Sequence, residues 1–209
     1  MKFRVISTGS KGNAVLYDDS FLVDCGVSYT KIKNFNIKIV FLTHIHSDHL
    51  NLNALKSLQN NNPKVRIVCG SWMIPSLEAL KKANIDVLDF GVWYEFGIVK
   101  ACMVKLYHDV ENCGYRFILN NEKIFHATDT YTLQGIQAKG YDLYAIEHNY
   151  DEDLISDIID KKISSGQYAY ERKAMKNHLS IQDAEAFIIE NRKKTSKVIK
   201  LHMSGKFDE

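Results

Sequence analysis

Proline is nearly absent from this chain. Of 209 residues only Pro63 and Pro75 are proline, so the sequence contains no proline-rich linker. Internal repeats and low-complexity segments are missing as well. No apolar run approaches the roughly 20 residues that a membrane helix needs. An excess of one charge is also lacking. The formal net charge of +2 excludes the global basic field of a strongly cationic nucleic-acid binder. The four cysteines, Cys25, Cys69, Cys102 and Cys113, form no C-x-x-C pair. That spacing argues against a zinc knuckle or a disulfide framework and for small buried hydrophobes. The segment Met1-Lys2-Phe3-Arg4-Val5-Ile6 has no long apolar stretch or small-residue cleavage site, so the expected location is the cytoplasm. What is present is an ordinary globular composition, 45% hydrophobic and 25% charged, in a length that suits a single domain over 1–209.

Local patterning predicts many short strands with helices between them. Strands are expected at 3–7, 14–17 and 21–23, separated by the turns Gly9-Ser10-Lys11-Gly12-Asn13 and Asp18-Asp19-Ser20. Residues 38–42 are almost wholly apolar, as in a strand covered on both faces. Leucines at 50, 52, 55 and 58 predict a helix over 50–58 that ends before Asn60-Asn61-Asn62-Pro63. Further strands are expected at 65–69, 85–88, 98–106, 115–119, 123–126, 141–147 and 198–201. Helices are expected at 71–83 with Ser71 as N-cap, at 151–163, and at 180–191 with Ser180 as cap and Asp183 three residues on. This alternation predicts an α/β or α+β layered domain, two sheets covered by helices.

Directly after the apolar strand comes Thr43-His44-Ile45-His46-Ser47-Asp48-His49. In extended chain, residues two apart point the same way, so His44 and His46 can address one ion. Asp48 and His49 follow Ser47, where the chain can turn toward a second. Imidazole and carboxylate suit zinc, manganese or iron. Two ions need more ligands, and His108, Asp129 and His202 each stand just beyond an apolar strand.

An Asp after an early strand, H-x-H-x-D-H, then a lone His, a lone Asp and a last His make a pattern that resembles the metallo-β-lactamase fold. The residues that match are Asp24, His44, His46, Asp48, His49, His108, Asp129 and His202, spread over most of the chain. The resemblance implies an αββα sandwich and two divalent ions, Zn²⁺ or Mn²⁺. It implies His44, His46 and His108 on one ion, Asp48, His49 and His202 on the other, and Asp129 between them. Asp24 and Asp109 would orient ligands through hydrogen bonds. Narrower motifs resemble the YycJ/WalJ-like nucleases: Ser7-Thr8-Gly9-Ser10-Lys11-Gly12-Asn13, His108-Asp109-x-x-Asn112-x-Gly114-Tyr115, Glu147-His148-Asn149-Tyr150-Asp151, Asn177-His178-Leu179-Ser180 and Leu201-His202-Met203-Ser204. Asn177 and Tyr150 depart from that pattern, standing where those nucleases have glycine and histidine.

The expected chemistry is phosphodiester cleavage by a metal-bridging hydroxide, since cations lower the pKa of bound water. Asp48 is expected to be both ligand and catalytic carboxylate. By its similarity to RNase Z, the chain uses His178, oriented by Glu147, as general acid. His148 is expected to be structural or exposed. The segment 161–200 is locally basic, and Arg172, Lys173 and Lys176 near His178 are candidate phosphate contacts. Tyr168 and Tyr170 could stack bases, although packed tyrosines are commoner. The favoured substrate is nucleic acid, DNA over RNA, cut as an exonuclease, with no membrane partner. The oligomeric state is open, a dimer among the options. A small-molecule hydrolase of the same fold, acting on a thioester, lactone or β-lactam, is the runner-up. A redox di-iron protein is disfavoured by His46, and a non-catalytic binding module by the complete donor set.

Overall fold

A computed structural model describes residues 2–80, 83–169 and 171–203. Tyr170, Ser204 and positions 81–82 of the expected 71–83 helix lie outside these residues. The chain divides into two compact units, Met1–Val92 and Trp93–Glu209.

The first unit is built on a six-stranded sheet in the order β1-β2-β3-β4-β5-β6. Its strands are β1 (Phe3–Ser7), β2 (Ala14–Tyr17), β3 (Phe21–Val23), β4 (Ile39–Phe41), β5 (Arg66–Cys69) and β6 (Asn84–Val87). β1 and β2 form a hairpin, and β3 through β6 run parallel. Every residue of β2, β3 and β4 is buried, which explains why these segments read as continuous apolar runs rather than alternating ones. Helix α1 (Tyr29–Ile32) and helix α2 (Leu52–Asn61) belong to this unit. α2 buries Leu55 and Leu58 in the same core as Leu22, Val40 and Ile67. Its N-cap is Asn51, whose side chain accepts from the Ala54 amide at 3.0 Å.

The second unit carries another six-stranded sheet, in the order β12-β11-β10-β9-β8-β7. Its strands are β7 (Trp93–Glu95), β8 (Lys100–Tyr107), β9 (Glu111–Leu119), β10 (Glu122–Ala127), β11 (Leu143–Glu147) and β12 (Lys197–Leu201). β10, β11 and β12 are parallel, and β9 is antiparallel to both β8 and β10. It follows that β8 runs in the same direction as β10, β11 and β12, so their C-terminal ends share one edge. Helices α4 (Glu152–Ser164), α5 (Glu171–Asn177) and α6 (Ile181–Asn191) complete the unit. Ser180 caps α6 as expected, accepting from the Asp183 amide at 3.0 Å. Asp151 caps α4 through the Asp153 and Leu154 amides.

The expected helix at 71–83 is shorter than its pattern. A 3₁₀ turn at Ser71–Met73 leads into the single-turn helix α3 (Ile74–Leu77), and the N-cap is Gly70, not Ser71. Pro75 has no amide hydrogen to give the Ser71 carbonyl, so a regular helix begun at Ser71 is interrupted, and Pro75 sits instead in the first turn of α3. Strand β9 begins four residues before the expected 115, because Glu111 and Asn112 pair with Tyr107 and Leu106 in the β8–β9 hairpin. Helix α5 has no counterpart among the expected elements. Its Glu-Arg-Lys-Ala-Met-Lys-Asn sequence offers no apolar period.

Candidate metal centre

In the first unit the candidate ligands follow the ends of β3 and β4. His44 and His49 are fully buried. His44 Nε2 lies 3.1 Å from His46 Nδ1, and its own Nδ1 lies 2.9 Å from the Thr43 hydroxyl. A turn closes behind His46, whose carbonyl accepts the His49 amide at 2.9 Å, and this folds Asp48 and His49 back toward His44. The His44 and His49 ring centroids are 4.1 Å apart.

Asp24 clamps both ends of this loop. One carboxylate oxygen accepts the Thr43 amide at 2.9 Å, and the other lies 2.7 Å from His49 Nδ1. Burial pushes the Asp24 carboxyl up, against the opposing pull of His49 and the Thr43 hydrogen bonds. With Nδ1 directed at Asp24, Nε2 is the nitrogen that His49 turns to its other side. Asn13 is a residue that sequence reasoning did not single out. Its amide nitrogen lies 2.7 Å from His49 Nε2 and 3.3 Å from an Asp48 carboxylate oxygen, while its carbonyl oxygen accepts the Gly9 amide at 2.8 Å. The signal that could have found it is its place at the end of the Gly9–Asn13 turn. That turn is a tight one, with the Gly12 amide bonded to the Gly9 carbonyl at 2.9 Å.

In the second unit the candidate residues stand at the shared strand edge. His108 follows β8, and its Nδ1 donates to the Asn177 carbonyl at 2.9 Å. Burial lowers its pKa, outweighing the pull of the Asp129 charge, and favours the neutral form that ligates metals. Its Nε2 is 3.2 Å from Asp109, which also lies 3.3 Å from the Lys173 amine. Asp129 follows β10. Asn112, buried beneath it, donates to the Thr128 and Asp129 carbonyls at 3.0 and 2.6 Å. His202 follows β12, with Nε2 3.3 Å from an Asp129 oxygen and Nδ1 3.0 Å from the Asn149 amide nitrogen.

Glu147, the last residue of β11, is fully buried. One oxygen lies 2.6 Å from His178 Nδ1, and the other accepts the Thr130 and Leu179 amides at 2.9 and 3.3 Å. Burial pushes the Glu147 carboxyl up, but the hydrogen bonds from His178 and His202 outweigh it and hold it below its ordinary value. Burial works against the charged form of His178 too, yet the bond and charge of Glu147 leave its pKa raised. Asp129, Glu147, His178 and His202 each offer a ligand atom within 4.8 Å of the others. His148 points elsewhere. It is buried, bonded to the Ile146 carbonyl at 3.0 Å, and 3.6 Å from Glu185 of α6. Arg172, Lys173 and Lys176 lie together on α5 around a cavity.

The β-lactamase superfamily domain matches residues 20–189. The chain belongs to this superfamily. Its fold is a mixed α/β one with two sheets and helices, the metallo-β-lactamase fold. The metallo-β-lactamase fold protein YhfI of Bacillus subtilis superposes with a TM-score of 0.75 at 16% identity, covering 96% of this chain and 85% of that one. The short form of human tRNase Z superposes with a TM-score of 0.70 at 16% identity, covering 99% and 94%. Cytidine monophosphate-N-acetylneuraminic acid hydroxylase of Asterias rubens is 29% identical over 84 residues, 36% of this chain. The match spans only 13% of that relative's length. Members of the superfamily are generally hydrolases, and the clustered His and Asp side chains of this chain could hold metal ions. Among the described residues no helix is long and apolar enough to cross a membrane.

Proposed function

We propose that this chain is a metal-dependent phosphodiesterase that acts on nucleic acid, an exonuclease of the YycJ/WalJ-like type with DNA as the favoured substrate. The observation that carries the reading is the Glu147–His178 pair, bonded at 2.6 Å beside Asp129 and His202. A thioester hydrolase has less use for a buried acid pair, because a thiolate departs without a proton. A phosphodiester expels an alkoxide, which departs only as it gains a proton.

In this reading the whole chain, 1–209, acts as one domain. His44, His46 and His108 hold one ion, Asp48, His49 and His202 the other, and Asp129 serves both. The donor set fits such ions. It is wholly imidazole and carboxylate, and the ligand nitrogens are oriented by Asp24 and by the Asn177 carbonyl. Bound Zn²⁺ or Mn²⁺ supplies an activated water at neutral pH and neutralises charge on the phosphoryl group. The chain's own residues do the rest. Asp48 orients the attacking water, and Glu147 holds His178 protonated by its hydrogen bond and its charge. His178 gives that proton to the leaving oxygen. Asp109 braces His108, and Arg172, Lys173 and Lys176 receive the phosphate backbone. The four free, buried cysteines suit a reducing cytoplasm.

The test is one assay with end-labelled single- and double-stranded DNA and RNA, a small phosphodiester and a thioester, under Zn²⁺ or Mn²⁺, with Asp129→Ala as control. Cleavage of a labelled nucleic acid that Asp129→Ala abolishes supports the reading. Thioester hydrolysis without any phosphodiester cleavage overturns it in favour of the small-molecule hydrolase.

A further inference from the structure

A cavity of about 460 Å³ opens where α4 ends and α5 begins, lined by Ile163, Gln167, Tyr168, Arg172, Lys173 and Lys176. Every charged side chain in that lining is a cation. Tyr168 is 73% exposed and Ile163 47%, so large apolar surface stands open beside fixed positive charge. A ligand that fits such walls has an apolar face and an anionic edge, as a nucleotide does. An acidic peptide would satisfy the cations but make no use of the exposed face of Tyr168.

The cavity also lies along a structural path to the acid pair. At its far end α5 hands its Asn177 carbonyl to His108, and the His178 amide continues the helix by bonding to the Ala174 carbonyl at 2.9 Å. Lys173 is held beside Asp109 at 3.3 Å. Six residues separate Arg172 from His178, about 9 Å at the helical rise of about 1.5 Å per residue.

We propose that this cavity binds an unpaired nucleotide of a single-stranded end, its base stacked on Tyr168 and its phosphates held by Arg172 and Lys176. The strand is thereby led along α5 toward His178. A base inside a duplex is stacked on both faces and cannot offer one to Tyr168, so the cavity selects single strands and frayed ends over blunt duplex. The identity of the strand as substrate rests on the phosphodiesterase reading.

Binding is measured on the metal-loaded protein by fluorescence anisotropy, using a labelled phosphorothioate oligonucleotide that resists cleavage, its blunt duplex, and poly-glutamate as competitor. Tyr168→Ala should weaken single-strand binding by about 5- to 150-fold, the loss of one stacked base, while leaving duplex binding alone. Tyr168→Phe should retain binding. The double variant Arg172→Ala, Lys176→Ala should flatten the dependence of log K on log salt by about 1.4, two phosphates' worth. Single-strand binding by Tyr168→Ala that equals wild type overturns the proposal. So does poly-glutamate that competes as well as the oligonucleotide itself. Wild-type hydrolysis of bis(p-nitrophenyl) phosphate, measured in parallel, separates the two claims. Its absence overturns the phosphodiesterase reading whatever the anisotropy gives. Hydrolysis together with an unaffected Tyr168→Ala overturns the cavity proposal alone.

Discussion

Asp24, Asp129 and His202 share a backbone conformation that few side chains tolerate. Their φ angles are 59°, 56° and 50°, in the left-handed region. Among the described residues the other non-glycine positions there, Asp18, Asp19, Asn120 and Asn121, sit in hairpin turns, where Asp and Asn are at home. Asp24 and His202 instead follow β3 and β12 directly, and Asp129 stands two residues after β10. Such positions cost on the order of 1 kcal/mol or more each and persist where the surroundings hold them. Here the restraints are visible: Thr43 on Asp24, Asn112 on Asp129, Asn149 on His202. His178 is the residue whose removal tests the chemistry most directly. His178→Ala should lower kcat on a phosphodiester by about 10²- to 10⁴-fold while bound metal per chain stays the same. Turnover that does not change rules His178 out as the acid, and a protein that loses metal makes it a ligand.

At the scale of elements, the loop after β4 works because three chain segments cross tightly behind it. The Asn13 amide bonds to the Asp48 carbonyl at 2.6 Å, the Cys25 amide to the His49 carbonyl at 2.9 Å, and the Gly26 amide to the Asn13 carbonyl at 2.9 Å. Gly26 has no room for a side chain, since a Cβ there would stand 1.6 Å from the Asp48 carbonyl oxygen. Gly26→Ala must therefore move the Asp48–His49 peptide, and elemental analysis should show less metal per chain and calorimetry a lower Tm. A Gly26→Ala protein that holds a full complement of metal contradicts this account. At the other end of the second sheet, Asp142 ties three elements together. Its carboxylate accepts the Lys123 amide of β10 at 2.9 Å and pairs with Lys193 beyond α6 at 2.5 Å, while its carbonyl accepts the Lys197 amide of β12 at 2.9 Å. Partial burial works to raise its pKa, but the Lys123 and Lys193 bonds outweigh this and hold it below the usual carboxylate range. A depressed carboxyl stabilises the fold above its unfolded pKa of about 3.9, and that contribution fades as pH falls through the lower folded value. Asp142→Asn should therefore lower Tm near pH 7, with a gap to wild type that closes toward about pH 3. An equal gap at both pH values would count against the ionised carboxylate as the cause.

At the scale of the whole molecule, metal held by the proposed donor set would be coupled to stability. Ions that bind the folded chain and not the unfolded one stabilise it by about 2.7 kcal/mol at a hundredfold excess over Kd, which is roughly 5–10 °C in Tm for a chain of this size. Adding Zn²⁺ or Mn²⁺ to chelator-treated protein should raise Tm by that order in scanning calorimetry, and the Asp129→Ala variant should respond less. A wild-type Tm indifferent to either metal would argue against resident ions. Much of this was legible in the chain itself. The motif from His44 to His49 could be read because its candidate donors are neighbours in sequence, and the strands because apolar runs and alternation are local signals. His108, Asp129 and His202 could be placed because each follows an apolar strand. Helix α5 could not, since nothing in Glu171–Asn177 alternates. Nor could the supporting contacts of Asn13, Asn112 and Asn149, which fall within the quoted motifs but whose amides find their partners only in the fold.

The sequence by itself determined the kind of chemistry available: imidazole and carboxylate donors, their order along the chain, and the strands that precede them. Only the tertiary structure decided which ring nitrogen each histidine turns outward, which strand ends share an edge, and through which atoms the expected Glu147–His178 pair meets. Residue type is a local property, whereas a hydrogen bond such as the one between Glu147 and His178, 31 positions apart in the chain, exists only after the sheet has brought its two ends together.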